Sequence, residues 1–166
     1  MNYFELFGLP IGFQVDTKQL RAAFMNIQRA SHPDKFTQAN EFEQAEALEK
    51  SAIANKAFTL LQNPAAILPY VLEIKGFLEV DEKYALSPDF LMEMMELNEA
   101  WMDADDEAAK QNVLTKVKNI ENEIYIPIKE YMETSSVDTI SKEGMLQIKE
   151  YYFKKKYLDR ILADFR

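Results

Sequence analysis

The sequence predicts an all-α fold: an antiparallel helical pair joined by a His-Pro-Asp loop, followed by a three-helix bundle. Three observations predict it. Apolar residues recur at helical spacing along the chain, and no stretch sustains strand-type alternation. Proline and glycine mark the ends of most periodic segments. The acidic excess also divides the chain in two: residues 1–75 hold 7 basic and 8 acidic side chains, net −1, whereas residues 76–166 hold 12 and 20, net −8.

The elements follow in order. Asn2 and Glu5 have the spacing of a capping box and start a short helix carrying Tyr3, Phe4, Leu6 and Phe7, which Gly8 and Pro10 stop. Asp16 and Gln19 offer a second capping pair for a helix over Thr17–Ser31, with Leu20, Phe24 and Ile27 at +4 and +3 on its core face. Lys18, Arg21, Met25, Gln28 and Arg29 fall on the other side, a basic stripe with no acidic member. Pro33 disfavours helical backbone at His32, so the chain turns there. A long Ala-rich helix is expected from near Asn40 to Gln62, closed by Asn63-Pro64, and a short one over 65–75. Gly76 begins a connection, 76–82. Ser87 caps a helix with Pro88 at its first position, running to about Ala104. A further stretch from about Glu107 to Met132 spaces Val113, Val117, Ile120, Ile124, Ile128 and Tyr131 along one face and is kinked by Pro127. A last helix from about Thr139 aligns Ile148, Tyr151, Leu158, Leu162 and Phe165. The expected domains are 1–75 and 83–166.

Composition removes whole classes of chemistry. There is no Cys among the 166 residues, which leaves no disulfide framework, thiol nucleophile or thiolate ligand. The single His32 leaves no multi-histidine metal site, so no metal or cofactor is expected. A net charge of −9 opposes binding to nucleic-acid phosphates. The opening MNYFELFGLP lacks a basic region and a long apolar run, so it does not read as a signal peptide. No stretch of about 18 apolar residues would span a membrane. A soluble, cytoplasmic protein is expected, and nothing in the sequence demands more than a monomer.

Two features remain that could carry function. His32 has Asp34 two residues on across a proline, but no nucleophile motif or glycine-rich phosphate loop accompanies it. The chain is therefore not read as an enzyme, and the tripeptide is either a polar turn or a recognition loop set at the end of the basic stripe. On the helix from Pro88, Phe90, Met94, Leu97 and Trp101 form a sufficient core stripe. Leu91, Met92 and Met95 lie off it, beside Glu96, Glu99 and Asp103; they are either the flank of a broad buried face or an exposed patch for a protein partner.

The run Arg29-Ala30-Ser31-His32-Pro33-Asp34-Lys35-Phe36, with Ala54-Asn55-Lys56-Ala57-Phe58 and Asn63-Pro64 beyond it, resembles the J domain of DnaJ-type co-chaperones. Asn2-Tyr3-Phe4-Glu5-Leu6-Phe7-Gly8-Leu9-Pro10 and Phe90-Leu91-Met92-Glu93-Met94-Met95-Glu96-Leu97 extend the resemblance over essentially the whole chain and narrow it to the HscB-type co-chaperones of iron–sulfur cluster biogenesis. The resemblance implies that His32, Pro33 and Asp34 engage a DnaK-type chaperone, HscA, and stimulate its ATPase. It implies that Lys18, Arg21, Arg29 and Lys35 meet an acidic surface on it. It further implies that Leu91, Met92, Met95, Glu96, Glu99, Asp103 and Tyr157 bind the scaffold protein IscU, which is delivered to the chaperone in the maturation of iron–sulfur proteins. Ser31 departs from the Tyr common in the family and is expected to loosen packing there; Met95 and Tyr157 stand where relatives carry Leu and Phe. The cysteine-containing zinc segment of some eukaryotic relatives has no counterpart here, which favours a bacterial cytoplasmic setting. The alternative is a J-domain co-chaperone with a different client.

Overall fold

The fold is that of a computed structural model, which describes residues 1–134 and 136–165. Asn2 accepts a hydrogen bond from the Glu5 N–H while the Glu5 carboxylate accepts one from the Asn2 N–H, and this reciprocal cap starts α1 (Tyr3–Leu6). Gly8 ends it in the left-handed region at φ +64°, where a side chain would be strained. Asp16 caps α2 (Thr17–Ser31) through the N–H groups of Lys18 and Gln19. A 3₁₀ turn over Pro33–Phe36 leads to α3 (Glu41–Leu61), capped by Asn40, and Asn63 with Pro64 starts α4 (Pro64–Ile74). The described residues hold only helices and turns, so the fold is all-α as the periodicity predicts.

The described backbone groups into two compact units. The first joins Met1–Lys75 to the later segment Met132–Thr139. α2 packs antiparallel on α3, whose Ala47, Ala54 and Ala57 are buried and let the backbones approach. Phe24 stacks on Phe58 with ring centroids 4.1 Å apart. Beside them Gln28 donates to the Ser51 carbonyl and the Asn55 side chain and accepts from the Ser51 hydroxyl at 2.8 Å. The helical wheel sets Gln28 on the open, basic side of α2; it lies at the edge of that side and clamps α3. Phe4, Leu20, Leu61, Ile67, Val71 and Leu72 complete the core. The later segment is tied in by buried Val137, whose N–H donates to the Ile11 carbonyl at 3.0 Å, and by a 2.9 Å Lys75–Asp138 ion pair.

The second unit comprises Gly76–Tyr131 and the chain from Ile140 onward. Its helices are α5 (Pro88–Asp103), α6 (Glu107–Tyr125) and α8 (Lys142–Asp164), with the short α7 (Lys129–Met132) after α6. Pro127 converts residues Ile126–Ile128 to a 3₁₀ turn, the predicted kink. Phe90, Met94 and Leu97 of α5, Val113, Val117 and Ile120 of α6, and Leu158, Ile161 and Phe165 at the C-terminal end of the chain form one buried cluster. Each such side chain contributes about 1.5–3 kcal/mol relative to exposure. Trp101 lies at the cluster's margin, stacked on Phe165 at 4.5 Å. Residues 76–82, a connection by sequence, are bound in place with the residues that follow them: Leu78 is buried, Glu82 pairs with Lys149 at 2.7 Å, and Tyr84 stacks on Phe153 at 4.5 Å. Neither the partner Lys149 nor Phe153 could be found from the local sequence of the connection.

Candidate functional site

Two surfaces collect the residues singled out in the sequence. The first is the turn after α2. His32 is the last cap of that helix and the first cap of the next turn, and its extended backbone (φ −61°, ψ 133°) follows from the proline beyond it. The His32 Nδ1 accepts from the Asp34 N–H at 3.2 Å, and the His32 carbonyl accepts from the Lys35 N–H at 3.0 Å. The Asp34 carboxylate lies 3.5 Å from the same Nδ1. In the neutral ring an accepting Nδ1 leaves the proton on Nε2. The His32 and Asp34 side chains are 56% and 88% exposed, so a turn fixed from within offers both to a partner.

Lys18, Arg21 and Arg29 are exposed along α2, and Lys35 is exposed in the turn. Among the described residues none of the four lies in an ion pair, so their charge is uncommitted within the protein. Pro33 is exposed as well. Ser31, next to this turn, is buried and returns its hydroxyl to the Ile27 carbonyl at 2.7 Å. The first-unit site residues thus line one side of α2 and end on the loop.

The second surface is the outer side of α5. At about 100° per residue, Phe90, Met94, Leu97 and Trp101 centre on one direction, Met92, Met95, Glu96, Glu99 and Asp103 lie roughly opposite, and Leu91 lies on the flank about 90° from the core direction. Burial follows this division. Met92 and Met95 are 59% and 61% exposed, Leu91 is half-buried, and the three carboxylates are exposed. The sequence reading missed Met102, which is 82% exposed and falls at about 20° from Leu91 on the wheel, between Leu91 and Met95. Its +7 spacing from Met95 was the available signal. Tyr157 is half-buried; it sets its ring edge on Phe90 at 6.3 Å and carries the Arg160 guanidinium over its face at 5.7 Å. It is therefore partly a core residue, reaching α5 at the position before Leu91.

A family model described as the HSCB C-terminal oligomerisation domain matches residues 86–166. The crystal structure of human co-chaperone protein HscB is similar with a TM-score of 0.72 and 28% identity, over 99% of this chain and 80% of that one. Chaperone HscB from Vibrio cholerae is similar with a TM-score of 0.71 and 29% identity, over 99% of this chain and 95% of that one. The chain is an HscB-like co-chaperone by fold and by its C-terminal domain. The HscB model covers α5 to α8 and hence the methionine face, whereas the His-Pro-Asp turn lies in the part matched by the two HscB structures. Among the described residues no helix is long and apolar enough to cross a membrane, and no group of three or more His, Asp or Glu is placed to hold a metal ion.

Proposed function

We propose that this protein stimulates ATP hydrolysis by a DnaK-type chaperone of the HscA kind and delivers to it the iron–sulfur scaffold protein IscU. The observation that carries this reading is the internally capped, outward-facing His-Pro-Asp turn at the end of a basic strip with uncommitted charge. In this reading Lys18, Arg21, Arg29 and Lys35 draw in an acidic face of the chaperone, and His32, Pro33 and Asp34 make the contact that triggers hydrolysis. Met92, Met95 and Leu91 bury against the scaffold, Glu96, Glu99 and Asp103 orient it through their charge, and Tyr157 supports the α5 surface from behind. Carrying both partners raises the concentration of scaffold at the chaperone. The protein itself performs no covalent step in this scheme, and it acts in the cytoplasm.

The test is steady-state ATPase of the cognate chaperone with this protein, the scaffold, and both. Wild type is expected to stimulate synergistically with the scaffold. His32→Gln is expected to lose at least nine-tenths of the stimulation while binding scaffold with unchanged affinity. Normal stimulation by a folded His32→Gln variant would falsify the chaperone assignment. Stimulation with no effect of scaffold would point to a different client.

A further inference from the structure

The turn that carries His32, Pro33 and Asp34 is capped at both ends, and the second cap comes from another helix. His32 closes the N-terminal end. At the other end the chain leaves the 3₁₀ turn through residues 37–40, whose carbonyls lie outside any regular helix. The side-chain amide of Gln44, in the first turns of α3, is placed under them. Its Nε2 donates to the Phe36 carbonyl at 2.9 Å and the Ala39 carbonyl at 3.1 Å, with the Thr37 carbonyl at 3.5 Å. Three acceptors around one atom identify it as the NH₂ end of the amide, since the oxygen would be repelled there. The Ala39 N–H also donates to the Phe36 carbonyl at 3.0 Å, so the bonds share a node. Gln44 is in turn held by α3, where its own N–H donates to the Asn40 carbonyl at 3.0 Å.

We infer that Gln44 is a positioning residue for the His-Pro-Asp turn, fixing its trajectory from α3 so that the exposed His32 and Asp34 side chains meet the chaperone already ordered. This rests on the J-domain reading proposed above. A free loop has to be ordered at the moment of binding, and holding it beforehand lowers that cost. The expected signature is therefore in apparent affinity rather than in the triggered rate.

The experiment pairs amide hydrogen exchange with ATPase titration on the full chain. Gln44→Ala removes the donor, and Gln44→Glu keeps the shape but presents only acceptors. Both are expected to exchange the Lys35 and Ala39 amide hydrogens several-fold faster, with helical content unchanged. Both should raise the concentration giving half-maximal ATPase stimulation three- to tenfold, with the maximal rate unchanged. Gln44→Lys, which restores a donor, is expected to recover the exchange protection. Unchanged exchange in Gln44→Ala overturns the inference, as does faster exchange with an unchanged half-saturation concentration. His32→Gln, titrated alongside, separates the two failures. If it stimulates normally, the J-domain reading is lost and the positioning role with it; if it does not while the Gln44 variants match wild type, only the Gln44 role is lost.

Discussion

His32 and Met102 illustrate what a single position can and cannot disclose. His32 has its environment encoded beside it: Pro33 sets its backbone, and Asp34 and Lys35 supply the N–H groups that its side chain and carbonyl accept. Everything that fixes the turn from the N-terminal side was legible in four consecutive residues. The other cap was not, because Gln44 lies eight residues beyond Phe36 on a separate helix and a polar residue near a helix start has no periodicity to betray a partner. Gln28 escaped for the same reason, its partners Ser51 and Asn55 being 23 and 27 residues away. Met102 continues the Met92, Met95 spacing, and only its exposure shows how open it is. A prediction attaches to it. Met102→Asp adds a charge at the C-terminal end of the apolar strip and should weaken scaffold binding at least tenfold, roughly 1.4 kcal/mol or more, measured by calorimetric titration. Its 82% exposure means that thermal unfolding should be unchanged, and equal binding by the variant would confine the client surface to the N-terminal half of α5.

The helices were the readable part of the structure. Ser87 caps α5 as its residue type predicts, Asn40 caps α3 where the long helix is expected to start, Asn63, expected only to close α3, also caps α4, and Pro127 interrupts the helical stretch where it stands. Capping and proline effects act within a turn, so local sequence contains them. The connection after α4 was harder, because nothing in residues 76–86 shows that Glu82 will find Lys149 or Tyr84 will find Phe153 on α8. That contact has a pH signature. The hydrogen bond from Lys149 holds the Glu82 carboxyl below its ordinary value of 4.5, against an opposing effect of burial. A carboxylate with a depressed folded-state pKa stabilises above the unfolded value, and the contribution is lost as pH falls through the folded one. The strap over α8 should accordingly loosen below about pH 4.5. Between pH 6 and pH 3.5 the urea midpoint of the wild type, followed by near-ultraviolet dichroism, is expected to fall further than that of Glu82→Gln. Parallel pH curves for the two would mean that the pair adds no stability.

Over the whole molecule, charge is sorted by surface. The chain is strongly acidic, yet four of the seven basic residues in its first 75 cluster on α2 and the following turn, and four of the eight acidic ones sit in the first half of α3. The composition alone, net −9, disguises this local reversal, and the helical wheel recovers it because the stripe needs only the period of one helix. The proposed partners should consequently respond differently to salt. In the proposed function, chaperone association would depend on Lys18, Arg21, Arg29 and Lys35, which are exposed and would act across a Debye length of about 10 Å at 0.1 M ionic strength. Raising the salt from 50 to 300 mM is expected to slow its association rate by roughly tenfold, since steering is the part of binding that ions screen. Scaffold binding, which the open methionine side chains of α5 would dominate, should change by less than about threefold, because apolar burial does not depend on screening. Stopped-flow association measured for each partner over that range provides the comparison, and Arg21→Gln with Arg29→Gln should flatten the chaperone curve while leaving the scaffold curve in place. Equal salt dependence for both partners would mean that the carboxylates of α5, and not its methionines, govern scaffold recognition.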